Sequence, residues 1–169
     1  MSAEAIVLGI DVGTQGARVV AHDPAGKLIH SESERFAGDW SGPEQNPEDW
    51  GTAVARCLRR SAALLETREI AGVSVTSTSG TVIPLDADWQ PLAPALMYGD
   101  RRSADVAAEI DRTFPGLGAN VSWGLPKIVW FARLHSASAA RIHAWRHPAD
   151  LLVGWLTGEW ATTDQTPAL

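Results

Sequence analysis

A carboxylate stands between a buried strand and a glycine-rich turn near the start of the chain. Residues 6–23 read IVLGIDVGTQGARVVAHD, so Asp11 separates an apolar run from the closely spaced Gly13 and Gly16, and a second apolar run follows. Short β-branched runs that end at glycines are typical of strands joined by a tight turn. The segment DPAG then provides another turn before a third alternating run. Three antiparallel strands are predicted to open the fold, over residues 5–11, 16–23 and 27–36.

The remaining chain alternates helical and β-type patterns. Asn46 and Pro47, followed by two acidic residues, are typical of a helix start, and the helix is predicted to end near Thr67. Its inward face comprises Trp50, Val54, Cys57, Leu58, Ser61 and Leu65. The predicted β-type segments are 70–76, 81–85 and 95–98. Four further helices are predicted. The first is capped by Ser103 and turns Val106, Ala107, Ile110 and Phe114 inward. Of the other three, one begins at Pro126, one covers residues 137–145, and one runs from Pro148 to a C-cap at Gly158. A final extended piece is predicted over 161–164, with a structural role for Asp164. This order predicts an α/β fold with a mixed sheet.

Composition excludes several classes of function. The net charge of −6 and the lack of a basic stripe argue against nucleic-acid binding. No apolar run approaches the roughly 20 residues that cross a bilayer, and the N-terminus lacks a basic signal-peptide start. We therefore expect a cytoplasmic protein without a membrane partner. The single Cys57 has no internal disulfide partner and no metal-ligand spacing.

The first turn has the chemistry of a phosphate site. Glycines at positions 13 and 16 let a phosphate approach the backbone, whose N–H groups form a concave anion site, and Thr14 adds a hydroxyl. Asp11 has the wrong charge for a phosphate unless a hard cation such as Mg²⁺ lies between them. The alternative is an ordinary hairpin turn whose aspartate bonds its own backbone. Neither a P-loop nor a Gly-x-Gly-x-x-Gly pattern is present.

Five segments, in one order, carry a family resemblance. GIDVGTQGARVVAHDPAGKLI resembles the first phosphate motif of the actin-like ATPase superfamily, and EQNPEDW resembles the Glu-Gln-Asp-Pro-x-x-Trp segment of the FGGY carbohydrate kinases. The segment 72–103 is similar to that family's sugar-site strands followed by Trp-x-Asp-x-Arg. PKIVWF and PADLLVGWLTGEWATTD resemble two further family segments. The chain thus resembles the N-terminal, sugar-binding lobe of an FGGY kinase, xylulokinase-like and ribonuclease-H-like in fold, over residues 1–169.

The resemblance implies an ATP-dependent phosphotransferase that acts on a sugar or polyol hydroxyl. Asp11 would organise Mg²⁺ through water, and Gly13, Thr14, Gln15 and Gly16 would approach the transferred phosphoryl group of ATP. The sugar would contact Ser77, Thr78, Ser79, Tyr98, Asp100 and Arg102. The chain has Ser77-Thr78-Ser79-Gly80 where xylulokinases have Gln-Met-His-Gly, and Tyr98 where the family has Trp. These two departures leave the substrate open.

Some of these residues also fit purely structural roles. Arg101 and Arg102 also fit a helix start with solvated charges. Trp50, Trp130 and Trp155 fit packing positions on helices, and Trp40, in a loop, fits either packing or a cleft wall.

The family's general base and the second, ATP-binding lobe match nothing in these residues. We therefore expect a fragment of a longer enzyme that is inactive alone. The alternative is an isolated lobe that binds sugar or another protein and forms a homodimer through its exposed apolar wall. An actin-like ATPase unrelated to sugars is a third, weaker alternative.

Overall fold

The computed structural model describes residues 5–38 and 40–163, so the expectations for Asp164 lie outside the described residues. The chain divides into two compact units. Unit 1 comprises Met1–Trp40 and Glu48–Ser77, and unit 2 comprises Ser41–Pro47 and Thr78–Leu169. Each unit is described below by itself.

Unit 1 is built on a four-stranded mixed sheet. Its strands are β1 (Ile6–Val12), β2 (Gly16–His22), β3 (Leu28–Arg35) and β5 (Ile70–Ser77). The order in the sheet is β3-β2-β1-β5, with β1 antiparallel to β2 and parallel to β5. The predicted antiparallel opening over three strands is confirmed.

One face of this sheet carries the core of unit 1. Side chains alternate along β1, so Ile6, Leu8, Ile10 and Val12 are buried while Asp11 is exposed on the opposite face. The helix α1 (Pro47–Arg60) buries three of the residues predicted for the inward face, Trp50, Val54 and Cys57, and Ser61, just after the helix, is buried as well. Because α1 ends at Arg60 and a short α2 (Ala62–Leu65) follows, the prediction of one helix to Thr67 was wrong by a break at Ser61. There the Ser61 hydroxyl bonds the Cys57 carbonyl, a local bond that competes with regular helix.

Unit 2 combines two small sheets with helices. The strand β4 (Glu44–Gln45) pairs with β7 (Ala95–Leu96), and β6 (Ile83–Leu85) pairs with β8 (Ala144–Arg146). Its helices are α3 (Ala104–Thr113), α4 (Gly124–Leu134), α5 (Ser136–Ala139) and α6 (Pro148–Thr157). Pro148 at the start of α6 and Gly158 after it, at φ 76°, confirm the predicted boundaries of that helix.

Residues 137–145 do not form the predicted helix. Only α5 is helical, and residues 144–146 form β8, which pairs antiparallel with β6. The pairing with a distant strand outweighs the local propensity of an alanine-rich segment.

Other predicted details of packing were wrong. Phe114 is 61% exposed and Trp155 is 38% exposed, so neither belongs to the core. Ser103 occupies the N-cap position of α3, but its hydroxyl makes no capping bond, because its backbone (φ −90°, ψ 13°) is not extended. No helix within the described ranges is long and apolar enough to span a membrane.

Candidate functional site

The hairpin between β1 and β2 opens into a cavity in unit 1. The cavity has a volume of about 410 Å³, and its lining includes Asp11, Gly13, Thr14, Gln15 and Gly16. The N–H of Gly13 donates to the Gly16 carbonyl at 3.0 Å, which closes the turn. All five residues that the sequence analysis placed at a phosphate site therefore lie around one space.

Gly16 is the glycine that the hairpin requires. A Cβ at this position would collide with the Glu34 carbonyl oxygen and would lie 3.0 Å from the Cα of Arg35, whereas a Cβ at Gly13 would meet nothing closer than 3.7 Å. Strand β3 therefore passes directly against the bare backbone of Gly16. Close approach of one backbone to another is a use of glycine that no side chain can replace.

Two cationic residues that the sequence analysis missed also line the cavity. The cavity lining includes Arg18 and Arg35. Arg18 pairs in register with Asp11 on one side and with Ser33 on the other, and residues directly opposite in an antiparallel pair share a face. The available signal was alternation: Arg18 lies two residues after Gly16, on the strand face that Asp11 occupies.

The donor set at the cavity fits a magnesium ion held mainly by phosphate and water. Asp11 provides one exposed carboxylate, and Mg²⁺ in phosphoryl-transfer sites is bound by one or two carboxylates together with phosphates and waters. Among residues 5–38 and 40–163, no group of three or more His, Cys, Asp or Glu side chains is placed to hold a metal ion by itself.

Two predicted sugar-site residues, Thr78 and Tyr98, are hydrogen-bonded to Thr81 in unit 2. Thr78 Oγ1 lies 3.1 Å from Thr81 Oγ1, and the same Thr81 oxygen accepts a hydrogen bond from the Tyr98 amide at 3.1 Å. Thr81 is fully buried, while Tyr98 is 42% exposed. A buried threonine thus fixes the backbone on which an exposed aromatic ring is displayed. Thr81 was not predicted as part of the site, because a threonine beside an apolar run is typical of an ordinary strand residue.

Asp100 and Arg102 form the centre of a second polar cluster in unit 2. Arg102 Nη2 donates to Asp100 Oδ2 and to Glu44 Oε1, both at 2.7 Å, and the guanidinium lies 4.6 Å from the centre of the Trp130 ring. These hydrogen bonds raise the pKa of Arg102, with the largest contribution from Asp100. Asp100 is 2% exposed, so its carboxylate faces Arg102 and not solvent. Arg102 itself remains partly exposed.

Lys127 is buried beside the loop that supports Gly80. Its ammonium group donates to the carbonyls of Val121 and Trp123, both at 2.9 Å. Burial lowers the pKa of Lys127 to about 8, although the Asp100 carboxylate opposes this change. The carbonyl of Ser122, between the two bonded residues, lies directly against Gly80, where no Cβ would fit. Lys127 therefore fixes the loop that packs on the predicted sugar segment.

The remaining predicted site residues, Ser77, Ser79 and Trp40, differ in position and exposure. Ser77 is the last residue of β5, in register with Val12 at the end of β1. Ser79 is exposed at a turn, and Trp40 is half-buried. Ser77 belongs to unit 1, whereas Thr78, Ser79, Tyr98, Asp100 and Arg102 belong to unit 2.

Solved structures with the same fold are sugar kinases. A protein described as a xyloylose kinase from Brucella ovis has a TM-score of 0.83 and 29% sequence identity, over 91% of this chain and 34% of that one. A gluconate kinase from Lactobacillus acidophilus has a TM-score of 0.82 at 20% identity, which shows the fold alone. The expected fold class, a sugar-kinase α/β lobe with a mixed sheet opening with three antiparallel strands, is confirmed.

The family follows from the sequence. Residues 6–168 match the N-terminal domain of the FGGY family of carbohydrate kinases, and the chain belongs to that family. A xylulose kinase from Streptomyces coelicolor is 30% identical over 95% of this chain and 35% of its own length, and a glycerol kinase from Thermococcus gammatolerans is 30% identical over 75% and 28%. The chain spans about a third of the length of such relatives.

Proposed function

We propose that this chain contributes the first phosphate hairpin and the sugar-binding segment of an ATP- and Mg²⁺-dependent carbohydrate kinase. The observation that carries the proposal is the hairpin cavity, where Asp11 and the turn at residues 13–16 line one space together with Arg18. Membership of the FGGY family supports the same assignment.

The residues of the hairpin have separable roles in this proposal. Asp11 would hold Mg²⁺ through water, and the turn at residues 13–16 would present its backbone to a terminal phosphoryl group. Thr14 and Gln15 contact the same group. When bound, Mg²⁺ neutralises negative charge on the nucleotide phosphates. Arg18 supplies a fixed positive charge beside Asp11.

The sugar contacts proposed in unit 2 divide by exposure. Tyr98 and Ser79 are exposed and would touch the ligand, the first through its ring and the second through its hydroxyl. Arg102 is partly exposed, and its hydrogen bonds to Asp100 and Glu44 are made through Nε and Nη2. Asp100 is buried, so we propose that it orients Arg102 and contributes to sugar binding through that residue. Thr78 is tied to Thr81, and Ser77 ends β5.

The experiment that tests the nucleotide role is calorimetric titration of this chain with a non-hydrolysable ATP analogue, with and without Mg²⁺. We expect Mg²⁺ to tighten binding to the wild type and to have little effect on Asp11→Asn, which keeps the size of the side chain and removes its charge. Glu48→Gln, an exposed acidic position on α1, is the matched control. Equal Mg²⁺ dependence in Asp11→Asn and wild type would refute the role of Asp11.

A second candidate function is sugar binding without phosphoryl transfer. It is favoured by the local organisation of unit 2, where Thr78, Thr81 and Tyr98 are connected to one another without any residue of the hairpin. Titration with D-xylulose, L-fuculose and glycerol tests it, with Tyr98→Ala as the variant. Sugar binding that persists without nucleotide, in a chain that neither binds nor hydrolyses ATP, would favour this second function.

A further inference from the structure

Arg35 ends β3 at the edge of the hairpin cavity. It pairs in register with Gly16, the residue of the turn that has no side chain, and it lines the cavity. A Cβ at Gly16 would lie only 3.0 Å from the Cα of Arg35. Because Gly16 has none, no side chain separates Arg35 from the backbone of the turn.

The strand places Arg35 on the face that carries Asp11 and Arg18. Ser33 and Arg35 are exposed and alternate along β3 with Glu32 and Glu34, which bond to arginines of α1 on the other face. Ser33 pairs with Arg18, and Arg18 pairs with Asp11. Arg18 and Arg35 are thus diagonal neighbours on two adjacent strands, a spacing that long side chains can bridge.

The charged side chains that line the cavity differ in whether they have an ion-pair partner. The lining contains two carboxylates, Asp11 and Glu34, and two guanidinium groups, Arg18 and Arg35. Glu34 accepts hydrogen bonds from Arg56 and Arg60, each at 2.9 Å, and these bonds lower its pKa. Within the part of the chain that the structure describes, neither Arg18 nor Arg35 makes an ion pair. The cavity therefore has a positive balance that an anionic ligand would neutralise.

We propose that Arg35 is a second cationic contact for the phosphate group bound at the hairpin, acting together with Arg18. This inference rests on the proposed function and adds a residue outside the glycine-containing turn. A guanidinium can donate two parallel hydrogen bonds to one phosphate, which a lysine at the same position cannot do. The ligand chemistry is a phosphate dianion, whether it belongs to a nucleotide or to a phosphorylated sugar.

The experiment follows backbone amide shifts of this chain by NMR during titration with inorganic phosphate. Arg35→Gln is expected to weaken binding about tenfold, the loss that corresponds to one charge-assisted hydrogen-bonded contact. Arg35→Lys should recover part of that loss, since lysine restores the positive charge but not the two parallel N–H donors of the guanidinium. Arg59→Gln removes an exposed arginine at the end of α1, outside the cavity lining, and should bind phosphate like wild type.

The outcomes separate this inference from the function on which it rests. If Arg18→Gln weakens phosphate binding while Arg35→Gln does not, Arg35 has no such role and the hairpin assignment stands. If the wild type shows no shifts at the hairpin with phosphate, both are refuted. Parallel titrations with a non-hydrolysable ATP analogue and with D-xylulose 5-phosphate identify the source of the phosphate group. The ligand for which Arg35→Gln lowers the affinity is the one whose phosphate Arg35 contacts.

Discussion

Asp100 and Arg102 form an ion pair in which the acid is buried and the base reaches the surface. Arg102 Nε donates to Asp100 Oδ1 at 3.0 Å and to Oδ2 at 3.1 Å, and Nη2 donates to Oδ2 at 2.7 Å. The Asp100 side chain is 1% exposed, while that of Arg102 is 38% exposed. Asp100 is therefore held by hydrogen-bonded ion pairing to Arg102, whereas Arg102 also pairs with the more exposed Glu44.

Removal of Arg102 should therefore destabilise unit 2 strongly. In Arg102→Ala the buried Asp100 carboxylate loses its cation, and a loss of about 3 kcal/mol in the free energy of unfolding is expected. Arg101→Ala, at the exposed neighbouring position, should change stability by less than about 0.5 kcal/mol. Urea denaturation followed by circular dichroism measures both. Equal stabilities for the two variants would show that the ion pair contributes nothing to folding.

Gly80 is predicted to be irreplaceable for two separable reasons. Its φ of +72° is costly for any residue with a Cβ, and a Cβ there would also collide with the Ser122 carbonyl. Gly118 has a similar φ of +69° and open space around it. Gly118→Ala should thus report the backbone cost alone, about 1 kcal/mol, and Gly80→Ala should cost at least about 1 kcal/mol more.

The same pair of variants tests the link to sugar binding. A Cβ at Gly80 would also lie 3.6 Å from the Cβ of Tyr98, so displacement of this segment should disturb the exposed aromatic ring. Titration with D-xylulose is expected to show weaker binding for Gly80→Ala and unchanged binding for Gly118→Ala. Unchanged affinity in Gly80→Ala, with its stability reduced, would separate this loop from the sugar site.

The local chemistry of unit 1 was predictable, because strong signals specify it. Alternating apolar residues, the glycines at positions 13 and 16 and the turn before Lys27 predict the first three strands and their antiparallel order. The parallel partner β5 pairs with β1 across some 60 residues of chain, and no local pattern specifies that pairing. Arg35 was missed for the same reason, since its place beside Gly16 follows from the register of β3.

The errors in unit 2 arise where distant contacts decide local structure. Residues 144–146 form a strand because β6 offers a pairing edge, although the preceding alanines favour helix. Thr81 is bonded to the nearby Thr78 and also to Tyr98, 17 residues further along the chain, and Lys127 donates to the loop at 121–123. Side chains that act through buried hydrogen bonds leave little trace in a single sequence.

Lys127 should make the stability of the chain depend on pH above neutrality. Its pKa is lowered from 10.5 to about 8 in the folded chain, so between these values the unfolded chain holds a proton that the folded chain has lost. Stability from this group is therefore lowest below pH 8, rises through the window and is constant above pH 10.5. The rise expected is about 3 kcal/mol, which corresponds to a pKa change of roughly 2.5 units at about 1.4 kcal/mol per unit.

Lys127→Met provides the reference for that measurement, because it keeps the volume of the side chain and cannot titrate. The difference in unfolding free energy between wild type and Lys127→Met is to be measured at intervals from pH 7.5 to 10.5. All other titratable groups are common to both chains, so their contributions cancel in this difference. Parallel stability curves would mean that the pKa of Lys127 is the same in the folded and the unfolded chain.

The hairpin cavity should depend on Gly16 more than on Gly13. A methyl group at Gly16 must push β3 away at Glu34, whereas one at Gly13 makes an ordinary contact. Overpacking of this kind typically costs about 1–3 kcal/mol, so Gly16→Ala should speed amide hydrogen exchange along β2 and β3. Gly13→Ala should leave that exchange within about 0.5 kcal/mol of wild type. Hydrogen exchange resolved by residue is the appropriate measurement, since it reports unit 1 without the contribution of unit 2. Phosphate affinity should fall with the loss of protection in Gly16→Ala; full protection together with full affinity would show that β3 does not need the bare backbone at this position.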